Sequence, residues 1–276
     1  MKNKLDWNRR KTMTVFFLIF LTILLGIIVG GEYVQEKAME TDFSRKNLSP
    51  CPRYPFGTDW MGRDMFLRTL CGLSLSIRIG LLTACISAGI AFFMGICASL
   101  GKTADGIVSG IIDAVMGIPH MLLLVLISFA AGKGFLGVIA GISLTHWTSL
   151  ARLLRGEVLQ LKECTYIKIS RKLGMGKLKA AFVHMSPHLL PQLLVGVVLG
   201  FPHAILHEAS LTFLGFGLPL EQPAIGIILS ESMKYLSMGR WWLSLFPGLM
   251  LVLVVLMFYQ MGDMLSSLFA PDGITK

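Results

Sequence analysis

Residues 79–100 of the chain read IGLLTACISAGIAFFMGICASL, an apolar stretch without a single Asp, Glu, Lys or Arg. An α-helix rises about 1.5 Å per residue and the hydrocarbon core of a bilayer is about 30 Å thick, so about 20 such residues cross it once. Further runs approach or meet this length at 13–31, 107–131, 135–154, 189–208 and 243–263. The sequence therefore predicts an all-α integral membrane protein with six transmembrane helices.

The composition of the whole chain agrees with this fold class. Of its 276 residues 54% are hydrophobic and 15% are charged, too few charges to cover the surface of a soluble domain. The net charge of +9 comes from basic residues placed between apolar runs, a pattern typical of contact with lipid headgroups. We therefore expect membrane lipids, and no nucleic acid, as partners. Cysteines at 51 and 71 leave a pairing open.

Lysine and arginine residues indicate the orientation of the chain, because they accumulate in cytoplasmic segments. They cluster near the N-terminus and between the fourth and fifth runs, which six spans place on the same side. Both termini are thus predicted to be cytoplasmic. The predicted division is a cytoplasmic N-terminus at 1–12, a first transmembrane helix at 13–31, an extracytoplasmic segment at 32–78, a five-helix core at 79–266 and a cytoplasmic C-terminus at 267–276.

The cytoplasmic loop at 157–187 is too polar to cross a membrane and too regular for a linker. Gly174 separates two short helices, as glycine does at helix ends. The second helix carries Leu178, Phe182 and Met185 on one face, and Pro187 is expected to end it. Two interpretations remain open: the helices lie on the lipid headgroups, or the apolar face binds in a groove of a soluble partner.

Several ionisable residues lie within the apolar runs, where their cost makes a functional role the first hypothesis. We regard His146, His203, His207, Glu208 and Asp113 as candidates for a substrate path. His203 and His207 are four residues apart, so their rings share a helix face at a spacing typical of metal ligands. The alternatives are hydrogen bonds between helices for the histidines and structural ion pairs for the two carboxylates.

The loop resembles a known motif. Residues 168–174 (KISRKLG) and 184–187 (HMSP) are similar to the EAA loop of ABC importer permeases, EAA-x3-G-x9-I-x-L-P, with Gly174 and Pro187 at matching positions. The sequence departs from the motif elsewhere, for example where Lys168 replaces a glutamate and Ser186 replaces a leucine.

Three further motifs place the resemblance in the dipeptide, oligopeptide and nickel branch of these permeases. Residues 56–64 (FGTDWMGRD) resemble its FGTDxxGRD signature, and residues 209–217 (ASLTFLGFG) resemble its SFLGLG segment. Residues 262–263 (GD) are similar to its C-terminal ending. The motifs agree in order and spacing from about residue 50 to the end of the chain.

The resemblance implies a type I ABC importer permease, specifically the smaller, C-type membrane subunit, in a prokaryotic inner membrane. The implied partners are a second, homologous permease subunit in a heterodimer, two ATPase subunits and an extracytoplasmic substrate-binding protein. ATP and Mg would bind to the ATPases, because this chain has no G-x4-G-K-[ST] phosphate loop. The residues implied to couple the subunits are Gly174, Leu178, Phe182, Met185 and Pro187.

The histidines favour one cargo within this branch. His146-Trp147 and the His203/His207 pair resemble placements in nickel and metal-chelate permeases, which implies uptake of nickel, cobalt or a metal–metallophore complex. The alternative is a dipeptide or oligopeptide importer. A remote alternative is a membrane-embedded His-box metalloenzyme, but Pro187 interrupts the His184/His188 pair and there is no third box. We therefore expect no catalytic residue and no cofactor bound by this chain.

Overall fold

The structure is a computed structural model that describes the backbone of residues 2–269 and the side chains of residues 11–269. Parts of the two predicted cytoplasmic termini, residue 1 and residues 270–276, lie outside the described residues. The helices are α1 (Lys2–Tyr33), α2 (Gln35–Met39), α3 (Met65–Ala98), α4 (Lys102–Met116), α5 (His120–Ala130), α6 (Gly134–Glu163), α7 (Thr165–Lys172), α8 (Lys177–Ala180), α9 (Ser186–Phe213), α10 (Ile225–Leu236) and α11 (Trp242–Phe269).

The helices confirm the predicted all-α membrane fold. Five helices are long and apolar enough to cross a bilayer, and the pair α4 and α5 gives a sixth span if its two parts are taken together. Helices α3, α6 and α9 pack against one another at the centre, and α1 and α11 pack on one side of them. Between α9 and α11, the rings of Phe201 and Phe258 stack with centroids 3.6 Å apart.

The third span is not the single helix that the run at 107–131 predicted. The chain turns by 94° between α4 and α5. Pro119 immediately precedes α5, and a proline both lacks an N–H and disfavours helical geometry in the residue before it, here Ile118. The break exposes the beginning of α5 to the interior of the bundle, which has consequences for the site described below.

The helix that contains the second span begins at Met65, inside the segment at 32–78 that was predicted to be extracytoplasmic. Asp64 caps the helix, because its carboxylate accepts hydrogen bonds from the backbone N–H groups of Phe66 at 2.8 Å and Leu67 at 3.4 Å. Burial is the main cause that raises the pKa of Asp64. The first turns of α3 contain Arg68 and Arg78, whose charges interrupt the apolar run in the sequence but are paired in the structure.

The FGTDWMGRD segment forms a buried ionic cluster that attaches the loop before α3 to the helical bundle. One oxygen of Asp59 accepts hydrogen bonds from Arg63 Nε and Arg68 Nη1, both at 2.7 Å. The other accepts from the backbone N–H groups of Met61 and Arg63 at 2.8 and 2.9 Å. Arg68 Nη2 also donates to Glu231 of α10 at 3.0 Å. The motif therefore connects the loop, α3 and α10.

A glycine in the same motif is required by its backbone geometry. Gly62 has φ +78°, and a Cβ there would lie 1.8 Å from the carbonyl oxygen of Asp42. The left-handed conformation is unfavourable for a residue with a side chain, and the close approach of Asp42 leaves no room for one.

The helix after the loop continues further than predicted. A single π-helical turn at Ala181–Met185 joins α8 directly to α9, so Lys177–Phe213 is one continuous helix. Pro187 does not end a helix, as we expected, but occupies the first turn of α9. A wider turn accommodates the missing N–H and the ring of proline, which would clash in a regular α-helix. The loop is consequently continuous with a transmembrane helix.

Candidate functional site

A cavity of about 1300 Å³ lies between α3, α4, α5, α6, α9 and α11. Its wall contains five of the six histidines in the chain. The described wall also contains one carboxylate, Glu157, and no lysine or arginine. The histidines that line it are His120, His146, His188, His203 and His207.

Three of these histidines converge from three different helices. His120 begins α5, His146 lies in α6 and His207 lies in α9. Their ring centroids are 4.7 to 5.0 Å apart, and each contributes a nitrogen within 4.8 Å of the nitrogens of the other two. This histidine cluster is compact enough for one metal ion to bind all three rings after small side-chain movements.

The hydrogen bonds of the cluster determine which nitrogens can bind a ligand. His146 Nδ1 lies 3.0 Å from the carbonyl oxygen of Ile142. Since a carbonyl only accepts, Nδ1 carries the proton and Nε2 has a free lone pair, and this buried Nε2 has no hydrogen-bond partner. His207 Nδ1 lies 3.1 Å from Met121 Sδ, so its Nε2 is likewise available. The cluster thus presents lone pairs to the cavity.

The predicted metal pair His203/His207 is not the group that the structure forms. His203 is not one of the three converging histidines, and its Nε2 is 3.4 Å from the hydroxyl of Tyr259 in α11. His203 still lines the cavity. His120 was not identified from the sequence, yet it is His120, and not His203, that lies beside His207 in the cluster. Its position directly after Pro119 could have indicated this role, because a proline breaks the span there and the next residue, His120, is polar.

The two acidic candidates lie away from the cavity wall. Asp113 accepts a hydrogen bond from Arg152 Nη2 at 2.6 Å, and both side chains are more than half exposed. Glu208 is completely buried and accepts from the hydroxyl of Thr212 at 3.0 Å. The ion pair favours the structural alternative for Asp113, whereas Glu208 forms no ion pair among the described residues and its buried Oε2 has no hydrogen-bond partner there.

The residues of the predicted coupling loop divide into two groups. Gly174 has φ +95°, the left-handed geometry expected where two helices meet at a glycine. Leu178 and Phe182 are 56% and 49% exposed, although both are apolar. Met185 is only 3% exposed and packs into the core with Ile167. Met185 is therefore not part of an exposed apolar face, because the wide π-helical turn rotates it toward the bundle.

Comparison with known proteins agrees with this architecture. Residues 87–270 match the family described as "Binding-protein-dependent transport system inner membrane component". The chain is 28% identical over 269 residues to the dipeptide transport system permease protein DppC of Bacillus subtilis, covering 97% of this chain and 83% of that protein. It is 32% identical over 263 residues to a putative peptide transport system permease protein of Brucella suis, covering 95% and 88%.

A solved structure shows the same fold. The inward-facing MetNI methionine ABC transporter matches with a TM-score of 0.61 and 17% identity, over 75% of this chain and 98% of the matched chain. The family match covers more than half of the chain and includes all of the cavity wall except Ala84, the loop and the last three long helices. This chain therefore belongs to the binding-protein-dependent transport system inner membrane components, the multi-pass permease subunits of ABC importers.

Proposed function

We propose that this permease carries a transition-metal cargo, nickel or cobalt as the ion or as a small metal–metallophore complex. The observation that supports this cargo is the convergence of His120, His146 and His207 on the cavity. Neutral imidazole is the commonest protein ligand for such metals, and it binds nickel, copper, zinc and iron. A transported ion must also leave, and three neutral ligands that require small movements hold it less tightly than a preformed charged site.

The charge of the wall also favours a cation. The described residues of the wall include no lysine or arginine that could pair with the carboxylate of a peptide. They offer instead nitrogen lone pairs and the carboxylate of Glu157.

A dipeptide or oligopeptide is the second candidate cargo. The names of the relatives in Bacillus subtilis and Brucella suis favour it. The volume of about 1300 Å³ also exceeds what a bare ion needs and lies above the usual range for small-molecule sites of about 300–1,000 Å³. A metal held by an amino-acid-like chelator would satisfy both observations, because it combines the size of a short peptide with an ion that imidazoles can bind.

The partners follow from the same architecture. We infer that a second, homologous permease completes the cavity as a heterodimer and that an extracytoplasmic binding protein delivers the cargo. Two ATPase subunits would bind ATP and Mg, hydrolyse the nucleotide and dock on the exposed Leu178 and Phe182. Because α8 continues into α9, a movement of the docked loop would be transmitted along the helix that carries His203 and His207.

The proposed orientation can be tested by labelling. In a cysteine-free background, Lys46→Cys before α3 and Lys172→Cys at the end of α7 should react from opposite sides of the membrane. Both positions are exposed, so access does not limit the reaction. An impermeant maleimide applied to intact cells should label only the first variant. Labelling of the second from outside would contradict a cytoplasmic loop.

The proposed cargo can be tested with the histidine cluster. In the complete transporter in proteoliposomes, His146→Gln/His207→Gln should raise the half-saturation concentration for nickel uptake by about tenfold or more, because two ligands are lost. The half-saturation concentration for uptake of a dipeptide should not rise to the same extent. The amount of assembled complex should be unchanged.

A control from the same cavity distinguishes the structural arrangement from the sequence prediction. His203→Gln removes a histidine that lines the cavity but lies outside the cluster. It should raise the half-saturation concentration much less than the double variant. If the double variant lowers uptake of every cargo in proportion to lost protein, the cluster is structural and the peptide cargo is the better proposal.

A further inference from the structure

A second group of polar side chains lines the same cavity near α7, away from the histidine cluster. Glu157 lies in the last third of α6, and His188 and Gln192 lie in the first two turns of α9. His188 and Gln192 are four residues apart, so they project from one side of their helix. The structure brings both into electrostatic or hydrogen-bonding range of the Glu157 carboxylate.

Two oxygen atoms in this group lack partners. Glu157 Oε2 and Gln192 Oε1 are both shielded from solvent, and neither has a hydrogen bond in the described part of the chain. Both are acceptors, so they can be satisfied by a donor or by a cation. Leaving such atoms unpaired in a buried place costs free energy.

The basic residues close in sequence cannot neutralise Glu157. Arg152 donates to Asp113 at 2.6 Å, and Arg155 donates to Asp105 at 2.5 and 2.9 Å. Glu157 is therefore without a lysine or arginine partner among the described residues.

The third member of the group is held in place from outside the cavity. His188 Nε2 lies 3.3 Å from the hydroxyl of Tyr166 in α7. If Nε2–H donates to this hydroxyl, Nδ1 keeps its lone pair for a ligand. The group then offers one carboxylate oxygen, one amide oxygen and one imidazole nitrogen.

We propose that Glu157, His188 and Gln192 form a second divalent-cation site, which receives the metal from the histidine cluster before release at the α7 end of the cavity. This inference rests on the proposed metal cargo. Oxygen ligands suit nickel and cobalt less well than imidazole does, whereas the negative charge of Glu157 attracts any divalent cation. The second site would therefore attract the ion without holding it as selectively as the cluster does.

The two sites can be counted with cobalt, whose absorption spectrum reports its ligands. We would titrate Co²⁺ into the complete detergent-purified transporter without nucleotide and measure binding by equilibrium dialysis. Glu157→Gln keeps the size of the side chain and removes its charge, so it should weaken one site by about tenfold or more and leave the other unchanged. Glu221→Gln, at an exposed position outside the cavity wall, should bind cobalt like the wild-type protein.

Gln192→Met provides a second variant that removes the amide oxygen but keeps a side chain of similar length. It should weaken the same site as Glu157→Gln and leave the histidine cluster unchanged, whereas a general loss of folding would weaken both sites. In proteoliposomes, both variants should lower the maximal rate of nickel uptake by about tenfold and leave the half-saturation concentration unchanged. The variant His146→Gln/His207→Gln should instead raise the half-saturation concentration and leave the maximal rate unchanged.

The outcomes separate this inference from the proposed function. If His146→Gln/His207→Gln loses a cobalt site while Glu157→Gln binds cobalt as the wild type does, the second site does not exist and the metal cargo stands. If neither variant changes cobalt binding, both proposals fail. A decrease that appears in Glu221→Gln as well would place the lost site outside the cavity and would also overturn the inference.

Discussion

Replacing Asp59 with alanine should prevent the permease from accumulating in the membrane. Asp59 accepts hydrogen bonds from Arg63 and Arg68, whose side chains are 7% and 2% exposed. Without it two guanidinium groups remain buried with only Glu231 nearby, and breaking a buried ion pair costs about 3–5 kcal/mol. Such a loss is a large part of the total stability of a typical domain, about 5–15 kcal/mol. Immunoblots of membranes and thermal unfolding in detergent would measure the effect.

Two further variants identify the cause. Asp59→Asn keeps an oxygen for the backbone N–H groups of Met61 and Arg63 and loses the charge, so it should be less harmful than alanine. Glu32→Ala removes the partner of Arg78 in an exposed ion pair and should cost about 0–1 kcal/mol. An Asp59→Ala protein that accumulates and unfolds like the wild type would show that the FGTDWMGRD motif acts elsewhere than in folding.

Replacing Phe182 with aspartate should abolish uptake while the permease remains folded in the membrane. Phe182 is half exposed on the π-helical turn and makes an apolar contact surface with Leu178. Transfer of a charged side chain into an apolar groove is strongly unfavourable, so the ATPases should dissociate or hydrolyse ATP without transport. Co-purification of the ATPases, ATP hydrolysis and uptake in proteoliposomes would be measured on the same preparation.

A leucine at another exposed position provides the control for this variant. Leu220 is 70% exposed in the segment between α9 and α10, far along the chain from the loop. Leu220→Asp should leave the ATPases bound. If Phe182→Asp assembles and transports normally, the loop does not dock through this surface. The helices would then be better described as interfacial, the alternative that the sequence left open.

The apolar runs predicted the spans well where no charge interrupts the part of the helix that can cross the membrane, as in the second half of α1 and most of α11. They failed where a charge inside a helix has a partner elsewhere in the chain. Arg68 interrupts the hydropathy of α3, but the acid that neutralises it lies in a loop and is recognisable only in three dimensions. The helix α10 was missed because its 12 residues are too few for a span.

The site was predicted only in part, again because contacts between different helices are not visible in the sequence. Helical spacing placed His203 and His207 on one side of α9, and the structure agrees that both line the cavity. A shared side of a helix is wide enough for the two rings to contact different neighbours. Which histidine meets which helix depends on the bend at Pro119, and no pattern within α9 contains that information.

The two prolines inside α9 give this helix a mechanical property. Pro191 and Pro202 each remove a backbone hydrogen bond, so the helix bends more easily at these two positions than a regular α-helix does. His207 lies five residues, or about 7.5 Å, beyond the joint at Pro202. A swing of about 10° there would move it by about 1.3 Å, several times the tolerance of about 0.2 Å for a metal–ligand distance. In the proposed metal site, a slight bend of this one helix would change the number of imidazoles around the ion from three to two and so favour its release.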